Sequence, residues 1–176
     1  FFSGCSLGCV FCQNYQISAG HFGRDIPVER LAEIFLELQE QKANNINLVT
    51  GGHYIPQIVR ALDLVRGKLH IPVVYNSSGY ETVEALRMLK GYVDVYLPDL
   101  KYRSPERGAR YSHAPDYFAV ASKAILEMFD QVGPVRFDGR GMIQKGLIVR
   151  HMVMPNGVED SMDILTWIAG NLPLDD

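Results

Sequence analysis

Residues 46–79 read INLVTGGHYIPQIVRALDLVRGKLHIPVVYNSSG, and this stretch decides the fold. Its ends are short apolar runs, Ile46-Asn47-Leu48-Val49-Thr50 and Ile71-Pro72-Val73-Val74-Tyr75. Each runs into turn residues, Gly51-Gly52 after the first and Asn76-Ser77-Ser78-Gly79 after the second. Between them Pro56 begins a helical pattern bearing Ile58, Val59, Leu62 and Val65, with Gly67 just beyond it as a stop. Strand, helix, strand at this spacing predicts two parallel strands joined by a crossover helix.

The alternation extends outward in both directions. Upstream, Asp25-Ile26-Pro27 opens a helix in which Leu31, Ile34, Phe35 and Leu38 recur at i, i+3, i+4 and i+7. Downstream, a helix over 81–89 leads to the strand Val93-Asp94-Val95-Tyr96-Leu97, closed by Pro98-Asp99-Leu100-Lys101. A helix over 117–129 follows, and then residues 133–146, rich in Gly, Arg and Asp, read as an irregular insertion. A strand over 147–153 and a helix over 161–169 complete the pattern, with Trp167 as core filler. With a strand stub before Cys5, the expectation is one α/β domain over residues 1–176 built from parallel βαβ units. Right-handed crossovers leave a doubly wound sheet or a (β/α) barrel. No dinucleotide-type glycine fingerprint follows any strand, which favours a complete or partial barrel.

Composition excludes several classes. Hydrophobic residues make up 47% and charged residues 21%, ordinary values for a globular protein. A formal net charge of −3 gives no general electrostatic case for nucleic acid or an anionic membrane. No apolar run approaches the roughly 18 residues that span a bilayer. The opening FFSGC has no basic segment, so no signal peptide is expected. Position 1 is Phe and the chain stops at PLDD after a helical pattern, so it is expected to be a piece of a longer protein.

In parallel α/β folds the working surface lies at the carboxyl ends of the strands. Every chemically suggestive group falls there: the cysteine loop, Gly51-Gly52-His53, Asn76-Ser77-Ser78-Gly79, Asp99-Leu100-Lys101, and Arg150 on the face shared by Ile148 and Met152. The three cysteines of the chain, Cys5, Cys9 and Cys12, stand within eight residues. A local, odd set of thiols is unlike a secreted disulfide framework and points to a reducing compartment, hence cytoplasm. Three thiolates so spaced can wrap one soft-metal centre, an iron–sulfur cluster or zinc. A four-iron cluster with three cysteines keeps one iron open, the mark of a catalytic rather than a structural metal. Zinc with His21 as fourth ligand, or a disulfide plus a spare thiol, are the alternatives.

The spacing Cys5-x-x-x-Cys9-x-x-Cys12, with Phe11 just before the last cysteine, resembles the signature of the radical S-adenosylmethionine (radical SAM) enzymes. The similarity is closest to the pyruvate formate-lyase-activating enzymes, which activate glycyl radical enzymes, and to uncharacterised relatives of them. Cys12-Gln13-Asn14, Thr50-Gly51-Gly52, Ser78-Gly79, Asp99-Leu100-Lys101 and Arg150 fall in the family's order from residue 3 to about residue 160. The resemblance implies a (β/α)6 partial TIM-like barrel, lacking here most of the first strand and all of the last. It implies that Cys5, Cys9 and Cys12 ligate a [4Fe–4S] cluster, whose fourth iron takes the amine and carboxylate of SAM. Phe11 would lie near the adenine, and Gly51 and Gly52 near the methionyl amine. Asn76, Ser77 and Ser78 would face the ribose or a monovalent cation, Asp99 would join the cation site, and Lys101 would reach the nucleoside. Arg150, a charge on a strand, needs an anionic partner, and the SAM carboxylate is a candidate. His53 stands where the family has Glu, and Asn76 where it has Asp.

The implied chemistry is reductive cleavage of SAM to a 5′-deoxyadenosyl radical, which takes a hydrogen atom from a glycine of a protein substrate. A low-potential electron donor such as a flavodoxin is implied as a second partner. Two other classes compete: a non-catalytic zinc or iron–sulfur binding module, and a Schiff-base barrel enzyme using Lys101 as the amine.

Overall fold

Five strands, β1 (Ile46–Val49), β2 (Val73–Ser77), β3 (Val95–Pro98), β4 (Arg136–Phe137) and β5 (Ile143–Leu147), form one sheet in the order β1-β2-β3-β5-β4. The coordinates are a computed structural model that describes residues 1–173. Strands β1, β2, β3 and β5 run parallel, and β4 is an antiparallel edge on β5. The quoted βαβ unit forms as expected, with Ile46 opposite Val73 and Val49 opposite Asn76. Phe2 donates its N–H to the Val49 carbonyl at 3.0 Å, so the stub before Cys5 lies along the far side of β1. This is a mostly parallel α/β sheet of the kind from which partial barrels are built.

Helices α1 (Tyr15–Ser18), α2 (Val28–Glu40), α3 (Ile55–Leu64), α4 (Val83–Arg87), α5 (Pro105–Ser112), α6 (Tyr117–Val132) and α7 (Val158–Asn171) fill the connections. On one side of the sheet, Phe35, Ile58 and Leu62 of α2 and α3 pack with Ile46, Leu48 and Tyr75. A second cluster, joined to the first through α6, gathers Leu100, Tyr102, Tyr117, Ile125 and Ile164 with Leu7 of the cysteine loop. β2 is buried on both faces from Val73 to Tyr75, as a central parallel strand must be. Trp167 packs edge-on against Phe118 with ring centroids 5.7 Å apart, the core role expected of it. No described helix is long and apolar enough to cross a membrane.

Two expectations are corrected. The stretch 133–146 is not irregular: Asp138 accepts the N–H groups of Arg140 and Met142, folding a turn that pairs β4 with β5. The last strand is accordingly earlier than 147–153; it spans 143–147, and its pairing beside β3 ends where Arg150 bridges Asp99. Helix α5 falls where the sequence reading has no element, because PERGARYS carries few apolar residues to show a periodicity. Its signal is at the start instead: Ser104 caps it by accepting the Arg107 N–H at 3.2 Å, Pro105 occupies its first turn, and Glu106 follows.

Candidate active site

The rim begins where β1 ends. Thr50 takes a φ of 59°, a strained value for a β-branched residue, while its N–H donates to the Asn76 carbonyl at 2.9 Å. A Cβ on Gly51 would stand 2.8 Å from Cδ1 of Ile58, so a larger residue there would have to push the end of that side chain aside. His53 is exposed, with its ring 6.2 Å from that of Tyr54. Above Gly52 two polar atoms converge. A Cβ there would lie 3.6 Å from the Tyr75 hydroxyl and 3.8 Å from Oε1 of Glu81. Tyr75 is fully buried, and its hydroxyl is the one buried side-chain polar atom without a hydrogen-bond partner among the described residues.

Glu81 is the residue that sequence reasoning missed, because it was placed in the helix that follows. Thr82 caps α4 instead, accepting the Ala85 N–H at 3.2 Å, so Glu81 stays in the loop and its side chain turns under the rim. Ser77 donates to Glu81 Oε2 at 3.1 Å while accepting the Gly79 N–H at 3.1 Å. Burial pushes the Glu81 carboxyl up to about 7; nearby Asp99 adds to the rise, while Ser77 and Lys101 oppose it. An acid standing immediately before a threonine cap was the available signal.

Four of the expected residues meet in one polar network. Asp99 takes Lys101 Nζ on Oδ2 and Arg150 Nη2 on Oδ1, the latter at 2.8 Å. Arg150 Nη2 also donates to Asn76 Oδ1 at 2.8 Å. Arg150 is thus supplied with an anion by the protein itself, and it is half-exposed rather than buried. Tyr117 ties the loops behind this network: its hydroxyl accepts the Lys101 N–H at 3.1 Å and reaches the carbonyls of Ser78 and Asp99 at 2.7 and 2.9 Å. Gly79, at φ +77°, lies so close to the Asp99 carbonyl that any Cβ would run into it.

The cysteine loop docks on the end of α5. Gly8 and Val10 donate their N–H groups to the carbonyls of Ser112 and Tyr111 at 3.3 and 2.9 Å. All three thiols are free and partly buried. Each has one polar neighbour: the Leu7 N–H at 3.5 Å from Cys5, the Ser112 hydroxyl at 2.9 Å from Cys9, and the Ser18 hydroxyl at 3.2 Å from Cys12. Burial pushes the Cys5 thiol up; the Leu7 N–H opposes this, the other two sulfurs add to it, and Lys101 opposes it. Leu7, Cys5 and Cys9 pack in one cluster with Leu100 and Tyr102, the residues on either side of Lys101, so the cysteine loop and the Asp99 network share one rim. Phe11 packs with Cys5 and Cys9 against the second core. His21 and His53 both flank Gly4, the residue before Cys5. Among the described residues no three His, Cys, Asp or Glu side chains converge on a single ion.

A mostly parallel α/β sheet with a three-thiol loop at its carboxyl rim is the architecture of a radical SAM domain, and residues 1–165 match the Radical SAM superfamily. The chain belongs to that superfamily. It is similar to Uncharacterized protein MJ0674 of Methanocaldococcus jannaschii, at 35% identity over 181 residues, covering 98% of this chain. The chain spans about half the length of this curated relative, 49% of it.

The superfamily generally uses a [4Fe–4S] cluster and SAM, and the residues present fit both. Three unpaired thiols on one loop, each with a hydrogen-bonding neighbour, are soft donors of the type a cluster takes, and three of them would leave one of its four irons open. The orphaned Tyr75 hydroxyl and the free oxygen of Glu81 supply acceptors for a cationic N–H group.

Proposed function

We propose that the whole protein is a radical SAM enzyme that takes a hydrogen atom from its substrate. The observation that carries this reading is the sharing of one rim by the three thiols, the Asp99–Lys101–Arg150 network and the Glu81–Tyr75 pair. When bound, the cluster and SAM supply a 5′-deoxyadenosyl radical by one-electron reductive cleavage. Cys5, Cys9 and Cys12 would hold the cluster. Glu81 Oε1, beside Gly52, would accept from the methionyl ammonium, a role the exposed His53 does not have to fill. Arg150 and Asn76 would meet the carboxylate, and Ser78 and Lys101 the ribose side, with Phe11 near the adenine. A monovalent cation at Asp99 would have to displace Lys101 or Arg150. The barrel walls would exclude water and hold the reacting carbon near its target, a positioning task.

The order of the rim motifs favours a glycine of a glycyl radical enzyme as the hydrogen donor, and the (β/α)6 partial barrel as the complete fold. A low-potential, flavodoxin-like electron donor and a cytoplasmic setting complete the proposal. The test is anaerobic cluster reconstitution of the full-length protein, followed by iron analysis and a 5′-deoxyadenosine assay with dithionite. About four irons and SAM-dependent 5′-deoxyadenosine, both lost in Cys5→Ala, Cys9→Ala and Cys12→Ala, are expected. Unchanged 5′-deoxyadenosine in any of the three variants would remove the cluster assignment.

A further inference from the structure

α5 does more than brace the cysteine loop. Its last residue, Ser112, is 1% exposed, and its Oγ lies 2.9 Å from Cys9 Sγ on one side and 3.0 Å from the Tyr102 hydroxyl on the other. Tyr102 is itself fully buried, and Ser112 is the side-chain partner of its hydroxyl. A chain of two buried hydroxyls thus ends on a sulfur. Its polarity follows from what each atom can do. A metal-bound thiolate has no proton and can only accept. With Cys9 as such a thiolate, the Ser112 hydroxyl would donate its one hydrogen bond to the sulfur, and the Tyr102 hydroxyl would donate to Ser112 Oγ. Burial pushes the Tyr102 phenol up to about 12, with the Ser112 bond opposing, so that proton is held at any working pH.

We propose that the Tyr102–Ser112 hydroxyl chain is a redox-positioning device: by donating a hydrogen bond to the Cys9 sulfur it raises the reduction potential of the cluster. This rests on the cluster reading above. Reduction adds one electron, drawn from an external low-potential donor, and no proton moves. The added charge spreads onto the sulfurs, so a donor aimed at one of them stabilises the reduced state more than the oxidised one. In a dry site the two hydroxyls polarise each other, and the terminal bond gains strength from the one behind it. Ser18, near Cys12, has no such second hydroxyl among its hydrogen bonds and is less buried. The pair on Cys9 is therefore the stronger lever.

The test is an anaerobic redox titration of the reconstituted full-length protein, followed by the paramagnetic resonance signal of the reduced cluster. Ser112→Ala should lower the midpoint potential by a tenfold change in the one-electron equilibrium, about 59 mV. Tyr102→Phe should shift it the same way by less, and Ser112→Thr should restore it. Iron content separates loss of the loop from loss of the hydrogen bond; should Ser112→Ala hold no iron, Tyr102→Phe decides. A cluster that forms in all variants with one common potential, or a rise in Ser112→Ala, overturns this inference and leaves the enzyme reading standing. A wild-type protein that takes up no cluster overturns both.

Discussion

Asp99 and Arg150 face each other across the last step of β3–β5 pairing, with Arg150 Nη2 2.8 Å from Asp99 Oδ1 and their backbones joined as a parallel bridge. The bridge brings the ends of two strands to one register, and the ion pair fixes the two side chains above it. Because Asp99 also takes Lys101, one carboxylate serves two cations. Removing either end therefore has unequal consequences.

Asp99→Asn leaves Lys101 and Arg150 facing each other without an anion, and Lys101 is only 15% exposed. A loss of about 1–3 kcal/mol in stability is expected for this variant, the cost of an unsatisfied, partly buried group. Arg150→Ala removes a half-exposed member and should cost about 0–1 kcal/mol. Urea unfolding of both variants checks the asymmetry. Equal losses would mean that Lys101 does not depend on Asp99.

Glu81 gives the protein a pH signature. Its carboxyl is held at about 7 rather than the ordinary 4.5, chiefly by burial. The folded state therefore keeps the proton longer than the unfolded chain does, so stability falls as pH rises from 4.5 to 7 and levels off above that. Glu81→Gln removes this slope, and the difference in unfolding free energy between wild type and variant should change through that window. On the proposed function, SAM binding to the reconstituted protein should strengthen as pH rises through 7 in wild type and lose that dependence in Glu81→Gln. Parallel binding profiles for the two proteins would show that Glu81 does not contact the ligand.

Much of this was legible in the sequence, and the parts that were not share a cause. The βαβ unit over 46–79 and the rim positions of Asp99, Lys101 and Asn76 follow from apolar runs meeting turn residues, a signal confined to neighbours in the chain. Helix α5 hides because its stability comes from capping and from the loop docked on its end, not from an apolar face. Glu81 hides because helix starts are set by the capping residue, and Thr82 rather than Glu81 holds that place. Ser112 could not be read at all: 103 residues separate it from Cys9, and neither residue names the other.

Gly79 is a steric requirement. Gly79→Ala would push a methyl group into the Asp99 carbonyl from a left-handed backbone. The expected loss exceeds about 1 kcal/mol, since strain and clash add. Gly67→Ala is the control: its φ is +78° but the space around it is open, so it carries the backbone cost alone. Thermal melts that show equal losses at the two positions would dismiss the close approach as a factor.

Tyr117 holds the rim from behind. Its ring is almost completely buried and stacks on Tyr80 at 6.0 Å and edge-on to Tyr102 at 5.4 Å. Its hydroxyl binds the backbone of Ser78, Asp99 and Lys101, which belong to the loops after β2 and β3. Burial drives the phenol well above its ordinary range, so it stays a donor. Tyr117→Phe keeps the ring packing and strips one oxygen, leaving the Lys101 N–H without its acceptor. A stability loss of about 1–3 kcal/mol is expected from that unsatisfied group. The same change should loosen the ends of both loops, so amide exchange at Gly79 and Lys101 should quicken far more than exchange in α2. Uniform exchange changes across the chain would instead make Tyr117 an ordinary core residue with no hold on the rim.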